Sequence, residues 1–258
     1  MDIASIAGIL LALAGILGGL LLEGGTLRQV TQPTALMIVL GGTLGAVMLE
    51  YPVTVLGVAA RHFFSVFRSR GRESEAVVAQ LVSFANKARR SGILSLDADL
   101  ASIDDPFLKQ ALMLAIDGTE PAAVRQIMQL ELDNTGDGEA RIPQVFESAG
   151  GFSPTIGIIG AVIGLIQVMQ HLEDINEVGR GIAVAFVATI YGVGLANLVF
   201  LPVAGKLRIR QQEEQTLREM TLEGVTSIQE GMNPRTIEIK LRTFLFDAKK
   251  AVETVDAR

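Results

Sequence analysis

The sequence predicts an all-α membrane protein with four transmembrane helices, a cytosolic helical lobe between helices 2 and 3, and a cytosolic helical C-terminal tail. Three observations carry this. The chain of 258 residues is 49% hydrophobic, holds 27 glycines and lacks tryptophan, which is too apolar and glycine-rich for an ordinary soluble enzyme. Several runs, the longest between Arg180 and Lys206, carry no charged side chain over the roughly 20 residues a helix needs to cross hydrocarbon. Basic residues flank those runs instead of gathering in one patch, so the net charge of −6 implies no nucleic-acid partner. The absence of cysteine excludes disulfides, thiolate nucleophiles and the usual zinc sites, and His62 and His171 stand alone without metal-ligand spacing. No cofactor is expected.

In chain order, the first run is Ile3 to Leu22, about 30 Å as a helix. It is read as a retained span and not a leader, because only Asp2 precedes it and no small-x-small cleavage site follows. The second begins at Pro33, a favourable first helical residue, and carries Gly41, Gly42 and Gly45, where another backbone can approach closely. Glu50, Tyr51 and Pro52 interrupt it before Val53 to Ala60 continue it, which places the Glu50 carboxylate at the interface. These spans define a first region, 1–60.

Arg61, Arg68, Arg70 and Arg72 follow, matched by Lys206, Arg208 and Arg210 after the fourth run, while the loops at 23–32 and 173–180 hold one arginine each. This bias puts both termini in the cytoplasm. Region 61–149 is too polar to span, yet its apolar residues recur at three- and four-residue spacing, as in short amphipathic helices. Asp105 with Pro106 and Glu120 with Pro121 read as helix starts, and Asn134 to Gly138 reads as a loop.

The region 150–207 holds the third and fourth spans. The third, Pro154 to Leu172, is expected to start with Ser153 as cap and Pro154 in the first turn. Gly157, Gly160, Ala161 and Gly164 form a smooth stripe that suits close helix packing or room for a passing ion. The fourth carries Thr189, Tyr191 and Asn197, which a helix facing lipid on every side disfavours, and Pro202, which removes a backbone hydrogen bond. Thr189 is expected to bond its own backbone and Asn197 to tie two helices. Neither span contains Asp or Glu, so an intramembrane proton carrier must come from a partner. Region 208–258 restarts at Asn233, Pro234 and Arg235 and reads as solvated or lobe-packing helix to Val255.

The stretches GGFSPTIGIIGAVIGLI at 150–166, AFVATIYGVGLAN at 185–197 followed by Pro202, and QEGMNPR at 229–235 resemble the flagellar motor stator A subunits, MotA and PomA, over the whole chain. The resemblance implies an inner-membrane, multi-pass subunit of an ion-driven torque generator and not an enzyme. It implies a ring of copies, a pentamer, around a B-subunit (MotB-type) dimer whose transmembrane aspartate carries the ion, and a contact with the rotor switch protein. By the same resemblance Thr189 with Ala161, Gly157 and Gly160 line the ion path, Pro154 and Pro202 serve conformational coupling, and Arg89 or Arg90 with Asp97 meet the rotor. Asp97 stands where the family pattern has Glu; from the residues alone, Arg89 and Asp97 are a solvated helix end and its cap. The relatives ExbB and TolQ, which energise outer-membrane processes, are the alternative, but they carry one span before the lobe where this chain has two. Sodium-driven members carry a hydroxyl at the position held here by Ala161, so protons are favoured over Na+ as the permeating ion.

Overall fold

The computed structural model describes residues 3–66 and 74–245, and all regular structure among them is helical. Arg68, Arg70 and Arg72, which carry part of the expected positive flank, and the stretch towards Val255 lie outside the described residues. The chain divides into two compact units: Met1–Ser69 with Glu139–Ile209, and Arg70–Gly138 with Arg210–Arg258.

In the first unit, α1 (Ile3–Leu22) and α2 (Pro33–Glu50) are joined through a short 3-10 turn at Leu27–Val30. No part of the apolar window of α1 is buried within the chain, as expected of a helix whose solvent is lipid or a partner. Along α2 the residues Ala35, Val39, Thr43 and Val47, spaced four apart, form its buried face. Pro52 then opens a separate helix, α3 (Val53–Ser65), so the apolar stretch after Pro52 does not prolong the second span. Its Leu56, Ala59 and Phe63 pack with Val145, Phe146 and Ala149, and with Val203, Ala204 and Leu207 further along the chain.

In the second unit, α4 (Ser74–Ser91), a 3-10 stretch at Ile93–Ser102 and α5 (Pro106–Ile116) build a core around Leu81, Leu96, Leu108 and Leu112. Asp105 caps α5 by accepting from the Phe107 N–H, with Pro106 in the first turn. The core is completed by α6 (Pro121–Gln170), through Val124, Met128 and Leu132, and by α8 (Leu201–Gln229) and α9 (Pro234–Arg242), through Met220, Val225, Ile237 and Leu241. The C-terminal helices are therefore part of the lobe core and not a solvated tail. Asn233 caps α9 by accepting from the Arg235 N–H. Among the described residues, four helices are long and apolar enough to cross a membrane: α1, α2, α6 and the helix that starts with α7 (Ile175–Leu195).

Two further expectations fail in α6. Asn134 to Gly138 is helix and not a loop, and Ser153 and Pro154 lie inside the 50-residue α6 instead of opening it. Packing overrides local propensity in both places. The Gly136 carbonyl accepts from Gln211 Nε2 at 2.9 Å on α8, which rewards helical geometry at a residue that disfavours it. Ahead of Pro154, Val145, Phe146 and Ala149 are buried, and Gly150 lies so close to Leu201 that an added Cβ would meet its side chain at 2.6 Å. Pro143 and Pro154 each withhold one N–H, so the helix continues through two missing rungs, at the carbonyls of Glu139 and Gly150.

Candidate functional site

The third and fourth spans, the end of α6 and α7, meet along a seam of glycines. A Cβ placed on Gly157 would lie 2.9 Å from the Ala188 carbonyl oxygen and 3.2 Å from Gly192 Cα. At Gly164 it would lie 2.7 Å from the Gly181 carbonyl, and at Gly192 2.6 Å from the Ser153 carbonyl. Only glycine permits such backbone approach, so the alternative of close packing holds for Gly157 and Gly164. Gly160 faces Ala188 and Ile38 of α2 and is likewise fully packed. Ala161 lies one turn beyond Gly157 on α6, partly buried.

Thr189 sits on this seam, its Cα 3.5 Å from where a Gly157 Cβ would be. Its hydroxyl donates to the Ala185 carbonyl at 3.2 Å, as expected of a threonine inside a helix. Pro154 shares the neighbourhood, its Cα 3.3 Å from a Cβ at Gly192. The structure thus brings together Pro154, Gly157 and Thr189.

Among the described residues Asn197 ties no second helix; its amide donates to the Val193 carbonyl at 2.9 Å on its own helix. The reason is local. Residues Ala196–Phe200 form a single π turn, in which the Leu201 N–H reaches back five residues to the Ala196 carbonyl. Pro202 follows directly, so the widened turn and the missing N–H of Pro202 fall side by side, the usual cause of a bend in a helix. No sequence signal announced the π turn.

Glu50 is the last residue of α2. Its exposed carboxylate accepts from Ser148 Oγ at 3.0 Å, while Ser148 also bonds the Tyr51 hydroxyl at 2.9 Å. The next residue back, Glu147, pairs with Arg208. Two hydroxyls are buried without a protein partner among the described residues, Thr43 Oγ1 and Ser153 Oγ.

Arg89, Arg90 and Asp97 belong to the other unit. Arg89 and Arg90 are exposed in the last turn of α4, where cations complement the helix dipole. Gly92 then turns the chain at φ +82°, a conformation that side chains other than glycine rarely adopt. Leu96 is wholly buried beneath this turn and Asp97 exposed beside it. Lys87 and Asp99, which the sequence reading missed, close the two arms with an ion pair of 2.7 Å.

Elsewhere in this unit Glu223 of α8 holds Arg125 Nη1 of α6 at 2.9 Å and Lys240 of α9. Burial alone would raise its carboxyl, but the hydrogen bonds from Lys240 and Arg125 win and hold it below the usual carboxylate range. No grouping of His, Asp or Glu among the described residues could hold a metal ion.

Among the described residues, four membrane-length apolar helices with a close-packed pair of spans carrying a hydroxyl define a polytopic helical membrane protein. The model of the MotA/TolQ/ExbB proton channel family matches residues 99–220, and that of the motility protein A N-terminal region matches residues 6–92. The chain belongs to the motility protein A family. It is 35% identical over 246 residues to motility protein A of Bacillus subtilis, covering 95% of this chain and 91% of that one. It is 30% identical to the chemotaxis protein PomA of Vibrio alginolyticus, covering 98% and 99%. Among solved structures, C. jejuni MotAB superposes with a TM-score of 0.90 at 30% identity, over 96% of this chain and 97% of that one. The flagellar MotAB stator complex from Bacillus subtilis gives 0.87 at 34% identity, over 96% and 98%. The N-terminal match covers the two-span region in which the stator and ExbB/TolQ readings differ, and it favours the stator.

Proposed function

We propose that this chain is the A subunit of a flagellar stator, a multi-pass protein of the inner membrane with both termini in the cytoplasm. In this reading it does no covalent chemistry; it couples ion flow to torque on the rotor. The observation that carries the proposal is the seam itself. Thr189 is held beside Gly157 and Pro154 by backbone-to-backbone packing, while neither span offers a carboxylate. A hydroxyl without an acid can assist an ion but cannot carry a proton across hydrocarbon alone. The acid is supplied by a B-type partner dimer, around which copies of this chain form a ring of five, and relatives in the solved MotAB complexes support that partner.

The ion is the proton. Sodium needs several oxygen ligands to replace its water, and Ala161 supplies none where a second hydroxyl would help. The exposed Arg89, Arg90 and Asp97 then meet the rotor, while Pro154 and Pro202 mark where α6 and the α7–α8 helix can bend. The test is reconstitution into vesicles. The chain alone should conduct no ions, the chain with its B-type partner should conduct protons, and selective conductance by the chain alone refutes the proposal. In cells with only this stator, swimming speed should hold as external sodium is removed at fixed pH and potential; a fall to zero assigns sodium.

A further inference from the structure

α7 lies between two smooth surfaces. Towards α6 it presents Gly181, Ala185, Ala188 and Gly192 to glycines, and towards α2 it presents Val187 and Ala188 to Ala35 and Val39. Such packing sets how closely α7 approaches its neighbours, but among the described residues it includes no side-chain hydrogen bond between them. The directional contact is Tyr191. Its hydroxyl donates to the Val30 carbonyl at 2.5 Å and accepts from the Gln32 N–H at 3.2 Å. Thr31 and Gln32 are extended, at φ −101° and −126°, because they separate the 3-10 turn from α2. The phenol therefore pairs two backbone groups at a break between helices, and such groups are costly to leave unpaired away from water.

Thr189 precedes Tyr191 by two residues, which is about 200° around a helix. The two hydroxyls leave α7 on opposite sides. Anchoring one side fixes the direction in which the other faces, and a turn of about 20° would carry a side-chain oxygen some 4 Å from the axis by about 1.5 Å. Near-attack geometry is lost over such distances. We infer that Tyr191 is a positioning residue for the ion step: its phenol ties α7 to the extended segment between α1 and α2 and so sets the direction in which Thr189 faces. This rests on the stator reading for the role of Thr189, but the geometry is testable without motility.

The chain has no cysteine, so Thr189→Cys introduces a single thiol. In membranes holding this chain with its B-type partner, the rate at which a membrane-permeant maleimide labels that thiol reports its facing direction. Two variants loosen the tie from opposite ends. Tyr191→Phe removes only the hydroxyl, and Thr31→Gly, at an exposed site, loosens the extended segment while leaving the phenol in place. Each should change the labelling rate by about threefold or more, while a thiol at the exposed Ile158 of α6, which does not turn with α7, labels as before. With Thr189 intact, both variants should shift the external pH or ion concentration that gives half-maximal swimming speed. Unchanged labelling in both variants overturns the inference whatever the motility result. Should Tyr191→Phe fail to reach the membrane, Thr31→Gly decides alone. Changed labelling with unchanged ion dependence upholds the tie but overturns its role in the ion step. Proton conductance by the chain without its partner would instead sink the stator reading and leave the labelling result standing.

Discussion

Gly164→Ala should be among the most damaging single-methyl changes in the spans. The added Cβ would lie 2.7 Å from the Gly181 carbonyl oxygen, 2.8 Å from the Ala185 nitrogen and 3.1 Å from its Cα, all backbone atoms that no rotamer can move aside. Ordinary contact starts near 3.4 Å, so α6 and α7 must part by about 0.7 Å at this level, and the attraction between their surfaces falls steeply over that gap. Overpacking of this kind costs roughly 1–3 kcal/mol, partly offset by the ~1 kcal/mol that alanine gains over glycine within a helix. The net loss is about 0–2 kcal/mol, at the upper end here because the clash is with backbone. The assay is thermal unfolding of the detergent-solubilised chain followed by size-exclusion of a fluorescent fusion. Gly41→Ala serves as control, since nothing within the chain lies within 4 Å of its Cβ position, and it should be neutral or stabilising. If Gly164→Ala melts with the wild type, the seam is not the rigid contact deduced from the distances.

Gly157→Ala, whose Cβ meets the Ala188 carbonyl at 2.9 Å, should combine a smaller loss of stability with a loss of ion flux in the reconstituted complex, read against protein level. Because Glu223 titrates below its ordinary value, it contributes stability above about pH 4.5 that disappears as pH falls through its lowered value; Glu223→Gln should cost about 1 kcal/mol at pH 7, given its half-exposed partners, and nothing at strongly acid pH, in melts of the full chain. Leu96→Ala, at a fully buried site, should destabilise by about 2–5 kcal/mol, whereas Arg89→Glu and Asp97→Arg should leave the melt unchanged and impair swimming. Normal torque in both charge reversals would remove Arg89 and Asp97 from the rotor contact.

The spans and the acidic caps were legible because each rests on a local signal: uncharged length for the four crossings, and a carboxylate or amide before proline at Asp105 and Asn233. What escaped depends on distant partners. Asn134 to Gly138 has the composition of a loop, and only Gln211, some 75 residues on, rewards its helix. Ser153 and Pro154 have the signature of a helix start, yet the buried residues before them extend the helix. Thr189 as a seam residue could be read from its neighbours, but the π turn before Pro202 and the phenol of Tyr191 on the α1–α2 connection could not. The ion pairs of Lys87 with Asp99 and of Glu223 with Arg125 and Lys240 required the fold to bring the charges together.

The tie from Tyr191 to the Val30 carbonyl joins residues 161 apart. A ribosome adding about 5–20 residues each second makes the donor roughly 10–30 s after the acceptor. Throughout that interval α1 and α2 are already available to the bilayer, with the Thr31–Gln32 break unclamped and the α2 face of Ala35 and Val39 uncovered. By contrast, the glycine pairs of α6 and α7 are separated only by the short connection at 171–174 and can close as a hairpin soon after they emerge. Biogenesis therefore has an order: the hairpin forms first within itself and then captures the earlier half. A chain truncated before Tyr191 exposes the unfinished α2 surface, which is what a membrane protease or insertase would recognise in it.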